Sequence, residues 1–321
     1  DITLAASLFK ALPLSCRVIL VGDENELPSV VPGNVFHDLI ASNLFTTVKL
    51  FEIMRQAQDS NIVKLSHMVY SGQIDFRLFG DKKEVYFYPC DVKNLTTLLF
   101  RILDSYIATG SDFQTGMQIL IPMYAGIAGI DAINEAITNR YNPSDEKIVR
   151  DHLILKKNDK VLQLKNDPTL EVMNGDIGII KGIAKMNNKD ILFIDFDGRI
   201  VQYPVKDIDN LRLAYAISIH KSQGSEYDNV ILPILPSYHM MLRKKIIYTA
   251  MTRAKKKLII LGSIETLRES VKALEVPRQT GLFNMLQGVK TNETKIFDAT
   301  IPFDTLGEYD MEDITPYTFM E

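Results

Sequence analysis

The sequence predicts an α/β protein, a mostly parallel β-sheet with crossover helices into which a small antiparallel β-barrel is inserted. Three observations predict it. Strand-sized apolar runs, such as Arg17–Asp23 (RVILVGD) and Gln118–Met123 (QILIPM), alternate with helix-period segments, the order of repeated βαβ units. At Asn142-Pro143 the period changes. Between Asp151 and Ile208 short alternating strands are separated by the turn signals Asn174-Gly175-Asp176 and Asp197-Gly198. The parallel pattern then resumes at Leu211 and runs through Lys257–Gly262 (KLIILG).

Taken in order, residues 2–12 carry a helical pattern and Arg17–Asp23 reads as a buried strand. A loop with two prolines, Glu24–Gly33, leads into a helix over Asn34–Ala41. Thr47–Phe51 reads as a short strand, followed by a helix over about Ser60–Tyr70 that stops at Gly72. Glu84–Pro89 alternates as a strand, Val92–Ile107 is helical, and the glycines at 126 and 129 open a helix to about Arg140. Ala214–Ile219 is an apolar run that breaks into the polar turn His220–Glu226 (HKSQGSE), with the next strand at Asn229–Ile234. A strand ending in so many hydrogen-bonding groups suits the C-terminal edge of an open α/β sheet, where ligands sit. A helix to about Leu274 follows, and residues after 285 lack periodicity.

The chain has 321 residues, of which 46% are hydrophobic, enough for two compact domains or one large domain with an insertion. Apolar runs are too short for a transmembrane helix, and the opening DITLAASLFKAL lacks the charged region and cleavage site of a signal peptide. Cys16 and Cys90 are the two cysteines, so neither a disulfide framework nor a cysteine metal site is expected, and a reducing cytoplasm is the natural compartment. Net charge is −4, but it is unevenly placed. From Thr291 onward eight acids face one base, Lys295, so this tail carries −7 and residues 1–290 carry +3. The mildly basic body permits a nucleic-acid partner. The acidic tail is either a solvated terminus or a surface for protein partners.

Four polar clusters lie at strand ends or helix starts: Gly22–Ser29, Arg55-Gln56, Ser218–Glu226 and Tyr248–Arg253. A polyphosphate site needs cations against developing charge and donors aimed at phosphate oxygens. Arg55 and Arg253 fit the cationic role, or are ordinary surface arginines. Thr249 and Thr252 could equally lie on a helix surface, and Asp23 could cap the turn that follows it. His220 reads as a hydrogen-bonding histidine, since the five histidines form no ligand motif and zinc is not expected. The basic runs Arg243–Lys245 and Lys255–Lys257 are solvated faces or phosphate contacts.

In order and spacing these clusters resemble motifs III to VI of superfamily 1 helicases, in particular the RecD-like branch. GDENELPSVVPG (Gly22–Gly33) resembles motif III and MRQ (Met54–Gln56) motif IV. AYAISIHKSQGSEYD (Ala214–Asp228) resembles motif V and YTAMTRAKKKL (Tyr248–Leu258) motif VI. Ile119–Ile137 is similar to the segment between motifs IV and V, and the terminal TPYTFME to the ending of longer members. The resemblance implies a RecA-like P-loop NTPase fold cut into five parts. Residues 1–46 would end the first RecA-like domain, 47–146 and 209–285 would form the second, 147–208 the inserted barrel, and 286–321 the acidic tail. It also implies ATP with Mg2+ between the RecA-like domains, and 5′ to 3′ movement on single-stranded DNA or a single/double-strand junction. Arg55, Arg253 and Glu26 would carry the catalytic role, with Asp23, Gln56, Gly224 and Glu226 at the nucleotide. Ser218, His220, Ser222 and Pro122 would face DNA.

Two departures stand out. The phosphate loop GxxxxGK[ST] and the Asp-Glu of motif II are not spelled, so the main Mg2+ ligands are expected in an N-terminal part outside this chain, and this chain alone is expected to be inactive. Motif III usually carries glutamine where this chain has Glu26, and a carboxylate there repels phosphate unless protonated or turned away. The rival expectations are a Pif-type or relaxase-associated helicase, and a non-catalytic nucleic-acid-binding module.

Overall fold

The computed structural model describes residues 1–50, 60–80, 84–150, 153–186, 189–273, 275 and 278–291. Among the described residues twelve strands fall into three sheets. In chain order they are β1 (Val85–Pro89), β2 (Met117–Ile121), β3 (Lys147–Arg150), β4 (Leu153–Lys156), β5 (Lys160–Gln163), β6 (Ile177–Met186), β7 (Lys189–Phe196), β8 (Arg199–Pro204), β9 (Leu211–Leu213), β10 (Ala216–Ser218), β11 (Tyr227–Ile234) and β12 (Ala254–Gly262). A five-stranded parallel sheet has the order β1-β12-β11-β2-β10. A five-stranded antiparallel sheet has the order β8-β7-β6-β5-β9, and β3 with β4 forms a separate hairpin.

The parallel strands are continuous apolar runs because helices cover both faces. β2 is buried along its whole length, as is β11 from Asn229 onward. The helices in chain order are α1 (Ile2–Ala11), α2 (Val35–Ser42), α3 (Asn61–Tyr70), α4 (Leu95–Ala108), α5 (Phe113–Gly116), α6 (Ile130–Tyr141), α7 (Lys244–Thr252), α8 (Ile264–Lys272) and α9 (Gly281–Thr291). α4 turns Leu95, Leu99 and Leu103 inward at four-residue spacing, one stripe of an amphipathic helix. α3 and α8 start at Ser60 and Ser263, whose hydroxyls accept from Val63 N and Thr266 N. One core lies around the parallel sheet, and a second, with Leu192, Ile194, Tyr203 and Leu211 at its centre, lies within the antiparallel sheet.

The two sheets meet at a buried polar joint. Asp159 Oδ1 accepts from Thr138 Oγ1 at 2.6 Å, Asn142 Nδ2 at 2.7 Å and Tyr215 Oη at 2.9 Å, while its Oδ2 accepts from Lys156 N at 2.7 Å. Lys160 Nζ donates to Gln118 Oε1 at 2.9 Å and Met117 O at 3.1 Å. Gln118 Nε2 in turn donates to Ala214 O and Tyr215 O. Asn134 donates to Leu213 O and Ala216 O and accepts from Ala216 N, which holds the step from β9 to β10. Burial pushes Lys160 down to about 7 and holds the Tyr215 hydroxyl far above its usual range.

Several sequence expectations are corrected. Residues 17–23 form no strand, and Ile19 and Val21 are 80% and 92% exposed. Residues 47–50 likewise form none, and residue 51 lies outside the described residues. No described strand runs beside either segment, so neither closes a ladder, and an unpaired apolar run stays in solvent. The run 214–219 contributes only β10, a three-residue edge strand, since Leu211–Leu213 pairs with β5 in the other sheet. The helix expected from Val92 begins at Leu95 after a turn in which Asp91 accepts from Asn94 N. Residues 286–291 belong to α9, which packs on α2, so the stretch after 285 opens as helix.

Candidate functional site

Motif V joins two ends of the parallel sheet. Ser218 pairs with Ile121 at the end of β2, whereas Asn229 pairs with Met117 at its start. The connection 219–226 therefore travels the height of β2, about 13 Å at strand rise, while crossing from the edge of the sheet to its interior. Its first turn, His220–Ser222, follows a strand C-terminus as expected. Its end does not. Tyr227 N donates to Arg253 O at 2.8 Å, so Gly224–Glu226 and Arg253 lie where β11 and β12 begin. Gly224 has φ +76°, the left-handed region that favours glycine.

At that end residues 23–27 dock on α7 and on the connection. Asp23 caps its own turn, accepting from Asn25 N, and takes a 2.6 Å hydrogen bond from Tyr248 Oη. Leu27 N donates to Thr249 Oγ1 at 3.0 Å, and Leu27 O accepts from Gln223 Nε2 at 2.6 Å. Lys245 Nζ donates to Glu24 O, while the Glu24 carboxylate pairs with Lys49 at 2.7 Å. Arg253 is anchored by its Nε to Thr249 O and its Nη1 to Ser225 O, each at 3.1 Å. Its Nη2 faces Thr252 Oγ1 at 3.2 Å and forms an ion pair with Glu26. Glu26 is thus turned toward an arginine. Burial first, then the bond to Asp23, holds the Tyr248 hydroxyl well above its usual range, so it stays a donor.

Of the residues expected from sequence, Asp23, Glu26 and Arg253 come together. Gly224 begins the approach of the connection to this cluster, whereas Glu226 points elsewhere, pairing with Lys255 at 3.2 Å. Arg55 and Gln56 lie outside the described residues. On the other end of the connection Ser218 Oγ accepts from Lys221 N at 3.3 Å and lies 3.5 Å from Tyr124 Oη. His220 is half-buried and burial, then Arg278, shifts it toward the neutral form. Ser222 is fully buried with its hydroxyl on Ile219 O, and Pro122 is buried. Both are buried, and the Ser222 hydroxyl is spent on its own turn.

Four contributors were not singled out in sequence as contacts: Tyr248, Gln223, Tyr124, and the pair Lys221 with Asn174, whose Nζ–Oδ1 distance is 2.7 Å. Tyr248 had a signal, since it opens the YTAMTR cluster at the helix face that also carries Thr249. The Lys221 pair had none, because Asn174 belongs to a turn of the antiparallel module 47 residues earlier. A cleft of about 460 Å³ opens beside the docked segment, lined by Leu4, Leu8, Phe9 and Leu20 and reaching Asp23 and Glu26. Its walls are largely apolar.

The chain is similar to several known proteins. Residues 213–261 match the UvrD-like helicase C-terminal domain, and residues 133–196 the ATP-dependent RecD-like DNA helicase SH3 domain. Residues 1–87 match an AAA domain. This last match corrects the expectation that the chain lacks the phosphate-loop domain region, although no GxxxxGK[ST] is spelled within it. The chain is 30% identical over 289 residues to the ATP-dependent RecD2 DNA helicase of Deinococcus radiodurans, covering 88% of this chain and 38% of that protein. It is 24% identical over 350 residues to the RecBCD enzyme subunit RecD of Haemophilus influenzae, covering 89% and 53%. Among solved structures, Pif1 helicase from Bacteroides in complex with ADP-AlF3 and ssDNA gives a TM-score of 0.47 at 18% identity, covering 84% of this chain and 66% of that one. The chain spans about two-fifths to one-half of the length of these two curated relatives, and its matches make it similar to RecD-like helicases.

Proposed function

We propose that this chain is the C-terminal part of an ATP-dependent 5′ to 3′ DNA helicase of the RecD-like type. The observation that carries the reading is the docking of Asp23–Leu27 on Gln223 and Tyr248–Arg253. Three polar segments far apart in sequence meet at one seam between the N-terminal stretch and the parallel sheet, with a nearly buried guanidinium among them. Bound there, ATP with Mg2+ would supply the phosphoryl-transfer chemistry. Arg253 is held by Thr249 O and Ser225 O with its fork aimed at the seam, a geometry that suits a phosphate oxygen. Arg55 and Gln56 join it by family resemblance. Asp23 and Tyr248 set the spacing across the seam, and Glu26 holds the fork before nucleotide arrives.

The other end of the connection is the DNA side. Single-stranded DNA would pass over Ser218, His220, Lys221 and Tyr124, with Ser222 and Pro122 supporting the turn from below. Because residues 219–226 are one short connection, a change at Arg253 is felt at His220 through covalent chain, which is how opening and closing of the seam would move the strand. Mg2+ ligands come from outside this chain on this reading, as does the remainder of the first RecA-like domain. The acidic stretch after Thr291 lies outside the described residues and would be a solvated terminus or a surface for protein partners, and Cys16 and Cys90 suit a reducing cytoplasm.

The test is single-stranded DNA binding by residues 1–321 across salt concentration, with Arg253→Ala as control. Salt-sensitive binding that survives Arg253→Ala and falls in Lys221→Ala is expected. No binding at low salt would overturn the assignment of the DNA side. DNA-stimulated ATP hydrolysis by residues 1–321 alone would overturn the placement of the Mg2+ ligands.

A further inference from the structure

The acid in motif III has a structural answer that its sequence position hides. All three guanidinium nitrogens of Arg253 are engaged inside the chain. Nε and Nη1 donate to the neutral carbonyls of Thr249 and Ser225, which orient the planar group. Nη2 donates to Thr252 Oγ1 at 3.2 Å and pairs with Glu26, the one charged partner of the group among the described residues. The two side chains are unequally buried, 8% exposed for Arg253 and 28% for Glu26. The cation is therefore fixed in the protein, while the carboxylate stands on the solvent side of the pair. The backbone on both flanks of Glu26 is pinned, by Glu26 N to Asp23 O at 3.3 Å and by Leu27 to Thr249 and Gln223. The chain thus delivers a carboxylate to one place but leaves its side-chain torsions able to release it.

We propose that Glu26 is a resident anion, its carboxylate standing where a nucleotide phosphate oxygen would bond Arg253, so that phosphate engages Arg253 only by displacing it. The proposal rests on the reading of Arg253 as a phosphate contact and adds a positioning residue to it. Carboxylate and phosphate oxygens both suit the guanidinium fork, and the two cannot occupy Nη2 together without like charges meeting. A glutamine at this position keeps the shape and the hydrogen bond but removes the charge, so it holds Arg253 and yields it more readily. Glu26 makes Arg253 selective for a ligand with enough negative charge to win the exchange, favouring a polyphosphate over a single weak anion.

The experiment is calorimetric titration of residues 1–321 with inorganic tripolyphosphate at low salt, in four forms: unaltered, Glu26→Gln, Arg253→Ala and the double variant. The Nε–H resonance of Arg253 is followed alongside, because a merely structural role for Glu26 would not move it on titration. Glu26→Gln is expected to bind about tenfold tighter, with the resonance shifting at lower ligand, and the gain is lost in the double variant. Glu26→Gln binding no tighter than the unaltered chain, while Arg253→Ala abolishes binding, would overturn the resident anion and leave the phosphate reading standing. Binding unchanged by Arg253→Ala, or absent from all four forms, would overturn both.

Discussion

The molecule contains two polar seams that look alike on a list of hydrogen bonds and differ in water. At the joint between the sheets, Gln118, Asn134, Asp159 and Lys160 are each at most 4% exposed and bond almost wholly to buried partners. At the seam between residues 23–42 and the rest, Arg253, Tyr248 and Thr249 are buried but many of the pairs are half open. Lys49 and Glu24 are 48% and 28% exposed, and Arg278 and Gln287 reach backbone carbonyls at the surface. Breaking a bond in the first strands a polar group in a dry interior, whereas in the second water replaces the partner. Desolvation makes the first joint permanent and leaves the second able to open.

The largest effect is expected from Asp159→Ala, which leaves Thr138, Asn142 and Tyr215 without their acceptor. A loss of about 3–4 kcal/mol in chemical denaturation is expected; a loss below about 1 kcal/mol would mean the joint is not dry. Next comes Lys160→Met. Burial pushes Lys160 down to about 7 in the fold, against 10.5 for an exposed lysine. Between those values the unfolded chain holds more protons, so stability rises from pH 7 toward 10 and is flat with respect to this group below 7. Lys160→Met is expected to remove that slope in denaturation midpoints measured from pH 7 to 10, while leaving Gln118 Oε1 without its donor.

On the open seam the effects are smaller. Arg278→Ala combined with Thr280→Val removes the bonds to Val31 O, Gly33 O and Asp38 Oδ2. Faster amide exchange confined to about residues 31–42 is expected, with the global midpoint changed by no more than about 1 kcal/mol. Tyr248→Phe deletes only the hydroxyl that bonds Asp23 and is expected to cost about 1 kcal/mol. If Tyr248→Phe proved as damaging as Asp159→Ala, the distinction between the two seams would collapse.

Legibility followed the same divide. Strands and helices of the parallel sheet were readable because burial on both faces forces continuous apolar runs, as in β2 and β11. Asp23, Glu26 and Arg253 were readable as candidates because charged groups at element ends are conspicuous. Their pairing was not, since Glu26 and Arg253 lie 227 residues apart and nothing local records the contact. Ser222 and Pro122 are expected at DNA from the resemblance alone, and both are buried in the fold, which residue type does not record. The segment 17–23 misled in the opposite sense: its composition is that of a buried strand, and no described strand pairs with it.

By itself the sequence determined the alternation of strand and helix, the change to short antiparallel strands after Asn142, and the polar clusters at element ends. Each of these is written in periodicity or in residue type within a few positions. Only the tertiary structure decided that motif V crosses the sheet from its C-terminal to its N-terminal end, that Asp159 and Lys160 weld two sheets, and that Glu26 faces Arg253. Those facts depend on which distant groups share a space and how much water remains there, and neither quantity is local to the chain.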